Sequence, residues 1–224
     1  MTQRSMLRAA LGYVESGWPV VPGATPYGVR RRVRVDGPLG PVSVGCSCDG
    51  GYCMSPAAHP IDPHWQRHVI TSAAEVRLWW AGRSGMVPNI VLACGAGFHV
   101  WSVPRVIGSR ALDLLPDDLA LATPVAVTPT GRWHLFTAPR GMPEELPPSP
   151  ARLDVLHLGA GNAVPAPPST RGALGHDLWL REPRGRLAPC GLVAAALMRA
   201  ARLTEAVQAR RSGGGYEPSR RAAG

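Results

Sequence analysis

The sequence of 224 residues contains no lysine, so all 24 of its basic side chains are arginines, against 15 acidic side chains. The absence of lysine and the net charge of +9 have two explanations. A GC-rich coding sequence favours arginine whatever the protein does. Alternatively, the planar guanidinium group serves to bind phosphate, to whose oxygens it donates paired hydrogen bonds. Because a basic run is usually a solvated segment, charge alone gives weak support for nucleic-acid binding.

Long apolar runs are also missing from the sequence. The longest ones, such as residues 89–94 and 192–198, fall well short of the roughly 20 residues that span a bilayer. The N-terminus leads into an amphipathic pattern rather than into a long apolar segment with a cleavage site. We therefore expect a cytoplasmic protein without a membrane partner.

Hydrophobic periodicity and turn residues predict a mixture of helices and strands. Helices are predicted at residues 5–16, 72–81, 109–115 and 190–208. Strands are predicted at residues 18–22, 89–93 and 98–103, as a hairpin of 123–127 with 133–137, and as a second pair of 153–158 with 162–165. Residues 23–49 are rich in Gly, Pro and Arg and are interpreted as a long irregular insert.

The same pattern predicts one domain with two additions. The domain covers residues 1–211 and carries an insert at 24–68 that is rich in Arg and Gly and then in Cys and His. Residues 212–224 are predicted to be a disordered basic tail, because they combine glycines and arginines with almost no apolar side chains.

Three cysteines and one histidine follow one another in the pattern Cys46-x-Cys48-x4-Cys53-x5-His59. Zinc binds four ligands of these types tetrahedrally, and short spacings let a glycine-rich loop fold around one ion. We therefore predict a structural zinc site that stabilises an insert with little hydrophobic content. A disulfide is disfavoured in a cytoplasmic protein, and unligated thiols are the remaining alternative.

Other histidines and cysteines qualify this prediction. His64 and His68 are close enough in the sequence to replace His59 as a ligand. Cys94 and Cys190 lie in apolar stretches and are predicted to be core residues.

Several segments carry a family resemblance. Residues 10–20 contain Ala-Leu-Gly-Tyr and Gly-Trp-Pro-Val, residues 56–60 read Pro-Ala-Ala-His-Pro, and Trp79-Trp80 is followed by Pro-Asn-Ile-Val at residues 88–91. In this order they resemble the N-terminal domain of bifunctional DNA primase/polymerases, a branch of the archaeo-eukaryotic primase superfamily, over about residues 6–183. The resemblance implies an α+β fold with a mixed or antiparallel sheet like that of an RNA-recognition motif, flanking helices and a zinc-binding insert.

The resemblance also identifies a strand at residues 97–104, where family members carry Asp-x-Asp. Two carboxylates two residues apart on a strand point to one side and together hold the divalent ions of nucleotidyl transfer. In this sequence the two positions are Ser102 and Pro104, which offer a hydroxyl and no side-chain donor. Magnesium or manganese is therefore expected only if other residues supply ligands.

Two further motifs match the family. Thr128-Pro-Thr-Gly-Arg-Trp-His134 resembles Thr-Pro-Ser-Gly-Gly-x-His, which implies nucleotide binding by Thr128, Gly131, Arg132 and His134, with the histidine on the phosphates. Asp154 resembles the third acidic residue, so Asp154 and His134 would be the remnant of the catalytic site. Their alternative interpretations are a structural histidine and an ordinary strand-end aspartate.

Three acidic residues near the altered strand, Asp113, Asp117 and Asp118, could in principle restore metal binding. They fall on a predicted helix and at its end, which is the wrong geometry for replacing a pair on a strand.

Three functions fit these observations. The first is a catalytically impaired primase/polymerase-like domain that binds nucleotides or DNA in replication or in a mobile element. The second is an active primase/polymerase with a rearranged metal site, and the third is a zinc-stabilised interaction module. The sequence ends without the helicase domain that often follows in larger family members, so a helicase or replication protein is expected to act in trans.

Overall fold

The computed structural model describes residues 2–27, 32–37, 40–48, 53–81, 86–95, 97–141 and 154–213. The helices in these ranges are α1 (Gln3–Glu15), α2 (Ala73–Trp80), α3 (Arg105–Leu114), α4 (Asp117–Leu121) and α5 (Cys190–Gly213). The strands are β1 (Val20–Gly23), β2 (Arg32–Gly37), β3 (Gly40–Gly45), β4 (Asn89–Ala93), β5 (His99–Pro104), β6 (Val125–Val127), β7 (Arg132–Thr137), β8 (Leu156–Leu158), β9 (Ala163–Pro165) and β10 (Leu178–Arg181).

The strands form three antiparallel sheets. The largest has the order β10-β6-β7-β5-β8, the second β1-β4-β9, and the third is the hairpin β2-β3. Every strand pairing in the described ranges is antiparallel. The predicted α+β class with an antiparallel sheet and flanking helices is therefore confirmed. The predicted hairpin of residues 123–127 with 133–137 is confirmed too and corresponds to β6 and β7.

Two predictions about strands are wrong. Residues 153–158 and 162–165 do not pair with each other, because β8 joins β5 while β9 joins β4. All five residues of β4 are buried, so its second edge needs a partner for the backbone hydrogen bonds that water cannot supply. Residues 23–49 are not irregular throughout, because they contain the hairpin of β2 and β3. In these strands valines alternate with polar residues, but the many Gly, Pro and Arg residues obscure this period of two in the sequence.

The last helix is longer than predicted and reaches Gly213 instead of residue 208. It therefore includes the first two residues of the predicted tail. The rest of that tail, residues 214–224, lies outside the described residues.

The five-stranded sheet packs on both of its faces. Trp101 and Val103 of β5, with Leu135 of β7, point to the face covered by α3 and α5. Val100 and Phe136 point to the opposite face, where α1, α2, β1 and β4 complete a second core. Because side chains alternate along a strand, the next residues on this second face are polar ones, which form the candidate site below.

Asn89 joins three parts of the molecule through one buried side chain. Its Nδ2 lies within hydrogen-bond distance of the carbonyl oxygens of Ala24 (2.9 Å), Ala57 (3.0 Å) and Thr170 (2.7 Å). Its Oδ1 accepts a hydrogen bond from the Thr170 backbone N–H at 3.0 Å. The cysteine-containing insert is thereby fixed to β4 and to the segment that follows β9.

In the described part of the chain, no helix combines the length and the apolar composition that crossing a bilayer requires.

Candidate functional site

The guanidinium group of Arg132 connects the altered strand to Asp154. Its Nε donates to the Ser102 hydroxyl at 2.9 Å and its Nη2 donates to the Ser102 carbonyl at 2.7 Å. The same Nη2 lies 2.7 Å from the Asp154 carbonyl, and Nη1 forms an ion pair with the Asp154 carboxylate. Four contacts with two residues hold this cation in one orientation between β5 and the segment that leads into β8.

A tight turn between β6 and β7 positions Arg132. The Thr128 hydroxyl accepts a hydrogen bond from the Arg132 backbone N–H at 3.1 Å and lies 3.0 Å from the Thr130 hydroxyl. Gly131 has a φ of +82°, a left-handed conformation that glycine adopts without strain. The predicted nucleotide-binding residues Thr128 and Gly131 therefore build the turn from which Arg132 extends.

His134 follows on the same face of the sheet, directly opposite Ser102 in the β5–β7 pairing. Its side chain is buried, and its Nδ1 has no hydrogen-bond partner within the described residues. Burial, with smaller contributions from the positive charges of Arg171 and Arg132, lowers the pKa of His134 to about 3. His134 is therefore a neutral imidazole with one unused polar atom next to two cations.

Arg171 forms a buried ion pair with Asp177 that the sequence analysis missed. Nη2 of Arg171 lies 3.2 Å from one carboxylate oxygen and Nε lies 3.5 Å from the other. Burial raises the pKa of Asp177, while the charge and hydrogen bonds of Arg171 oppose that effect. No signal in the sequence marks these two residues, because arginine in a proline-rich connection and an aspartate before a strand are common.

Asp-x-Asp metal chemistry does not fit the side chains of this site. Ser102 uses its hydroxyl as an acceptor for Arg132, and Pro104 has no side-chain donor. Asp154 already pairs with the guanidinium group, so a divalent cation would have to displace Arg132. The oxygen atoms of this site thus accept hydrogen bonds from an arginine and do not form a set of ligands for magnesium or manganese.

The three nearby aspartates do not repair the site. Asp113 lies on α3 and Asp117 and Asp118 lie in the first turn of α4, and all three are exposed. Among the described residues, two groups of His, Cys, Asp or Glu are close enough to share an ion, and neither contains Asp154 or these aspartates.

The first of these groups is the predicted cluster of Cys46, Cys48, Cys53 and His59. Its four ligand atoms lie within 4.8 Å of one another. Nε2 of His59 is 3.3 Å from the sulfurs of both Cys46 and Cys53. For tetrahedral zinc, ligand bond lengths place a nitrogen and a sulfur roughly 3.6 Å apart, so the cluster is close to the size of a metal site. Its four residues can hold an ion such as zinc.

Surrounding groups orient the ligands of this cluster. Nδ1 of His59 lies 2.7 Å from the Pro60 carbonyl, which makes Nδ1 the donor and directs the lone pair of Nε2 to the sulfurs. The Ala57 backbone N–H donates to the Cys46 sulfur at 3.4 Å. Burial opposes ionisation of Cys46, but in the absence of a metal the hydrogen bonds that its thiolate accepts from protonated His59 and from the Ala57 N–H outweigh burial and lower the pKa of this thiol to about 6.

The alternative ligands of the insert are not used. His64 and His68 are exposed, and His68 lies 3.8 Å from Asp62 instead of near the sulfurs. Cys94 is buried as predicted, and burial raises the pKa of its thiol to about 12. Cys190 is buried too, but it lies beside two histidines that the sequence analysis did not single out.

The family model of the bifunctional DNA primase/polymerase N-terminal domain matches residues 10–192 of the chain. The match covers most of the sequence and includes β5, the turn before β7 and Asp154. The chain therefore belongs to this family of primase/polymerase-like nucleotidyltransferases, and the family implies an interaction with nucleotides or DNA. A search of curated proteins found no match to the chain.

Proposed function

We propose that this protein is a cytoplasmic, catalytically silent member of its family that binds the phosphate groups of nucleotides or single-stranded DNA without a divalent metal. The observation that carries the proposal is the contact of Arg132 with both Ser102 and Asp154. In an active member two or more carboxylates would surround a cation here. This chain supplies one carboxylate and provides the cation itself.

Loss of catalysis follows from what the arginine replaces. Two-metal transfer needs ions that polarise the attacking hydroxyl and the triphosphate, each held by carboxylates. A guanidinium group neutralises charge and donates hydrogen bonds, but it cannot activate a hydroxyl by direct coordination. We therefore infer that this protein retains the phosphate binding of its family and has lost nucleotidyl transfer.

Phosphate binding is supported by the groups around Arg132. Its ion pair with Asp154 is partly open to solvent, with 25% of the arginine side chain and 62% of the aspartate side chain exposed. Exposed pairs of this kind are worth about 0–1 kcal/mol, so a phosphate can compete for the guanidinium group. Among the described residues the buried Nδ1 of His134 has no hydrogen-bond partner, and an unsatisfied buried polar atom costs about 1–3 kcal/mol, which a ligand oxygen that reached it would offset.

The test of binding is fluorescence anisotropy with a labelled single-stranded oligonucleotide at about 50 mM salt, where phosphate contacts are strong. We expect equal affinity with and without added manganese. Replacing Arg132 with Gln should weaken binding about tenfold, in line with the loss of a charge-assisted contact. Arg77→Gln, which removes the same charge from an exposed position on α2, should change affinity about twofold or less.

A primer-extension assay with magnesium and with manganese tests whether the protein lacks polymerase activity. The wild-type protein should incorporate no nucleotide. Template-dependent synthesis that Asp154→Asn abolishes would establish an active polymerase with a rearranged metal site. An absence of binding to DNA and to nucleoside triphosphates would instead favour a pure interaction module.

For the cysteine cluster we propose zinc in a structural role. All four positions of a tetrahedral ion would be filled by Cys46, Cys48, Cys53 and His59, which leaves no position for a substrate. The ion would stabilise the insert, whose own apolar contacts in the described residues involve chiefly Ala24, Val33 and the cysteines. As a protein partner of the domain we propose a replication protein or a helicase.

A further inference from the structure

Cys190 and two histidines form a compact group on the side of the five-stranded sheet that faces α5. His99 is the first residue of β5, His157 is the middle residue of β8, and Cys190 is the first residue of α5. Their ligand atoms lie within 4.8 Å of one another. His157 is paired with Trp101 across the strands, so its side chain shares a face with Trp101 and not with Ser102.

From this group we propose a second metal site, in which His99, His157 and Cys190 bind a borderline-soft divalent cation such as zinc. Nitrogen and thiolate ligands in this combination select zinc and related transition ions over magnesium or calcium. The site lies on the opposite face of the sheet from Arg132, so it is independent of the function proposed above.

The distances agree with a shared ion. Nε2 of His157 is 3.1 Å from Nδ1 of His99, and the Cys190 sulfur is 3.9 Å from the same Nε2. Zinc bond lengths in a tetrahedral site place two nitrogens roughly 3.3 Å apart and a nitrogen and a sulfur roughly 3.6 Å apart. Shifts of a few tenths of an ångström bring these two pairs to the expected separations, and the third pair, His99 with Cys190, lies within 4.8 Å.

Burial raises the pKa of the Cys190 thiol, and neighbouring groups oppose that effect and favour a thiolate. Nε1 of Trp101 donates a hydrogen bond to its sulfur at 3.2 Å. As the first residue of α5, Cys190 also lies at the positive end of a helix of 24 residues, which favours a negative charge. Donors of this kind in the surroundings orient a metal ligand and tune it.

Space and access also suit an ion. Gly159, which follows β8, leaves room for the two imidazole rings, because a Cβ atom at this position would lie 3.2 Å from Cε1 of His157 and 3.5 Å from the His99 ring. Both histidines are partly exposed, so an ion can enter from solvent. Three protein ligands leave a fourth position for water or for an added ligand, unlike the closed set of four in the insert.

Proton balance is simple. Without metal, one imidazole N–H is shared between His99 and His157, and the cysteine is a thiol. Binding releases the thiol proton to solvent, and the shared imidazole proton moves to the other nitrogen of its ring, so both histidines offer a lone pair.

The test uses the full-length protein without a histidine tag, reduced, stripped of metal and dialysed against a slight excess of zinc. With both sites filled, the wild type should hold about two zinc ions per chain and His99→Gln about one. Cys190→Ser should lose the same ion, and cobalt substitution should show the loss of one sulfur-to-metal charge-transfer contribution. His176→Gln, at an exposed histidine outside both groups, should keep the wild-type metal content.

Because His99 is only half-buried, we expect His99→Gln to fold. This variant therefore tests the site even if Cys190→Ser does not fold. Wild-type zinc content in both variants would overturn the proposal, as would a metal content that only substitutions in the insert reduce. In that case the group is a hydrogen-bonded histidine pair next to a core thiol.

Discussion

Ser102 of β5 and His134 of β7 are directly opposite each other in the antiparallel pairing of the two strands. Their side chains therefore emerge on the same face, one at the position of a lost carboxylate and the other at the histidine of the family motif. Arg132, two residues before His134, lies on that face too and reaches the Ser102 hydroxyl. One strand thus supplies both the retained histidine and the cation that fills the altered site.

The first prediction concerns the identity of that cation. In Ser102→Asp/Arg132→Gln, two carboxylates, at residues 102 and 154, surround the place that the guanidinium group leaves. Because manganese prefers carboxylate oxygens, we expect affinity for manganese to rise about tenfold or more over the wild type. Electron paramagnetic resonance of free manganese measures the change.

The matched control for this experiment is Ser102→Asn/Arg132→Gln, which has the same shape without the added charge. It should bind manganese less tightly than the aspartate variant. Equal, wild-type affinity in both variants would contradict the assignment of Arg132 to the cation position.

The second prediction concerns the pH dependence of stability. The unfolded chain protonates His134 near its ordinary pKa of about 6.5, whereas the folded protein keeps it neutral down to about pH 3. Between these values the unfolded state binds more protons, so this histidine makes the free energy of unfolding rise with pH, by at most about 1.4 kcal/mol per pH unit. The contribution levels off above about pH 6.5.

Denaturant unfolding of the wild type and of His134→Gln at several pH values tests this. The wild type should show the steeper rise between about pH 4 and 6, while His99 and His157, whose pKa values are also lowered by burial, contribute to both proteins alike. Parallel curves would mean that His134 takes up its proton at the same pH in the folded protein as in the unfolded chain.

The third prediction concerns the insert. Cys48→Ser removes one thiolate from a tetrahedral set, so the protein should lose the zinc ion of this cluster. The midpoint of thermal unfolding should fall by about 4–8 °C, as expected for a loss of about 2 kcal/mol in a domain of this size. Elemental analysis and calorimetry measure the two effects.

Two controls separate the cluster from other thiols and histidines. Cys94→Ser makes the same chemical change in the core and should leave the metal content unchanged. His64→Gln should leave both metal content and stability unchanged, because His64 is exposed. Zinc retained in Cys48→Ser but lost in His64→Gln would show that the ligand set is different.

The sequence predicts local features of this protein well because they depend on spacing. The four insert ligands lie within fourteen positions, so the loop brings them together whatever the rest of the fold does. The start of the helix predicted at residues 72–81 is equally local, since in α2 the Ser72 hydroxyl accepts from the Glu75 backbone N–H three residues later. Both features follow from residue types at short separation.

Contacts between distant strands could not be predicted in this way. Arg132 meets Ser102 and Asp154 across separations of 30 and 22 residues, and the meeting depends on which strands are neighbours in the sheet. The predicted pairing of residues 153–158 with residues 162–165 is wrong for this reason. Cys190 is a core residue as predicted, but its proximity to His99 and His157 could not be predicted, because β5, β8 and α5 bring the three residues together from different parts of the chain.

A divalent ion at the position of the Arg132 guanidinium group would obey mass action, and its occupancy would rise and fall with the free concentration of the ion. An arginine side chain is attached to its own backbone and cannot be deprotonated in a protein. The link that it makes between Ser102 and Asp154 therefore does not depend on the concentration of any free cation. This corner of the fold keeps one arrangement whatever the supply of magnesium around it.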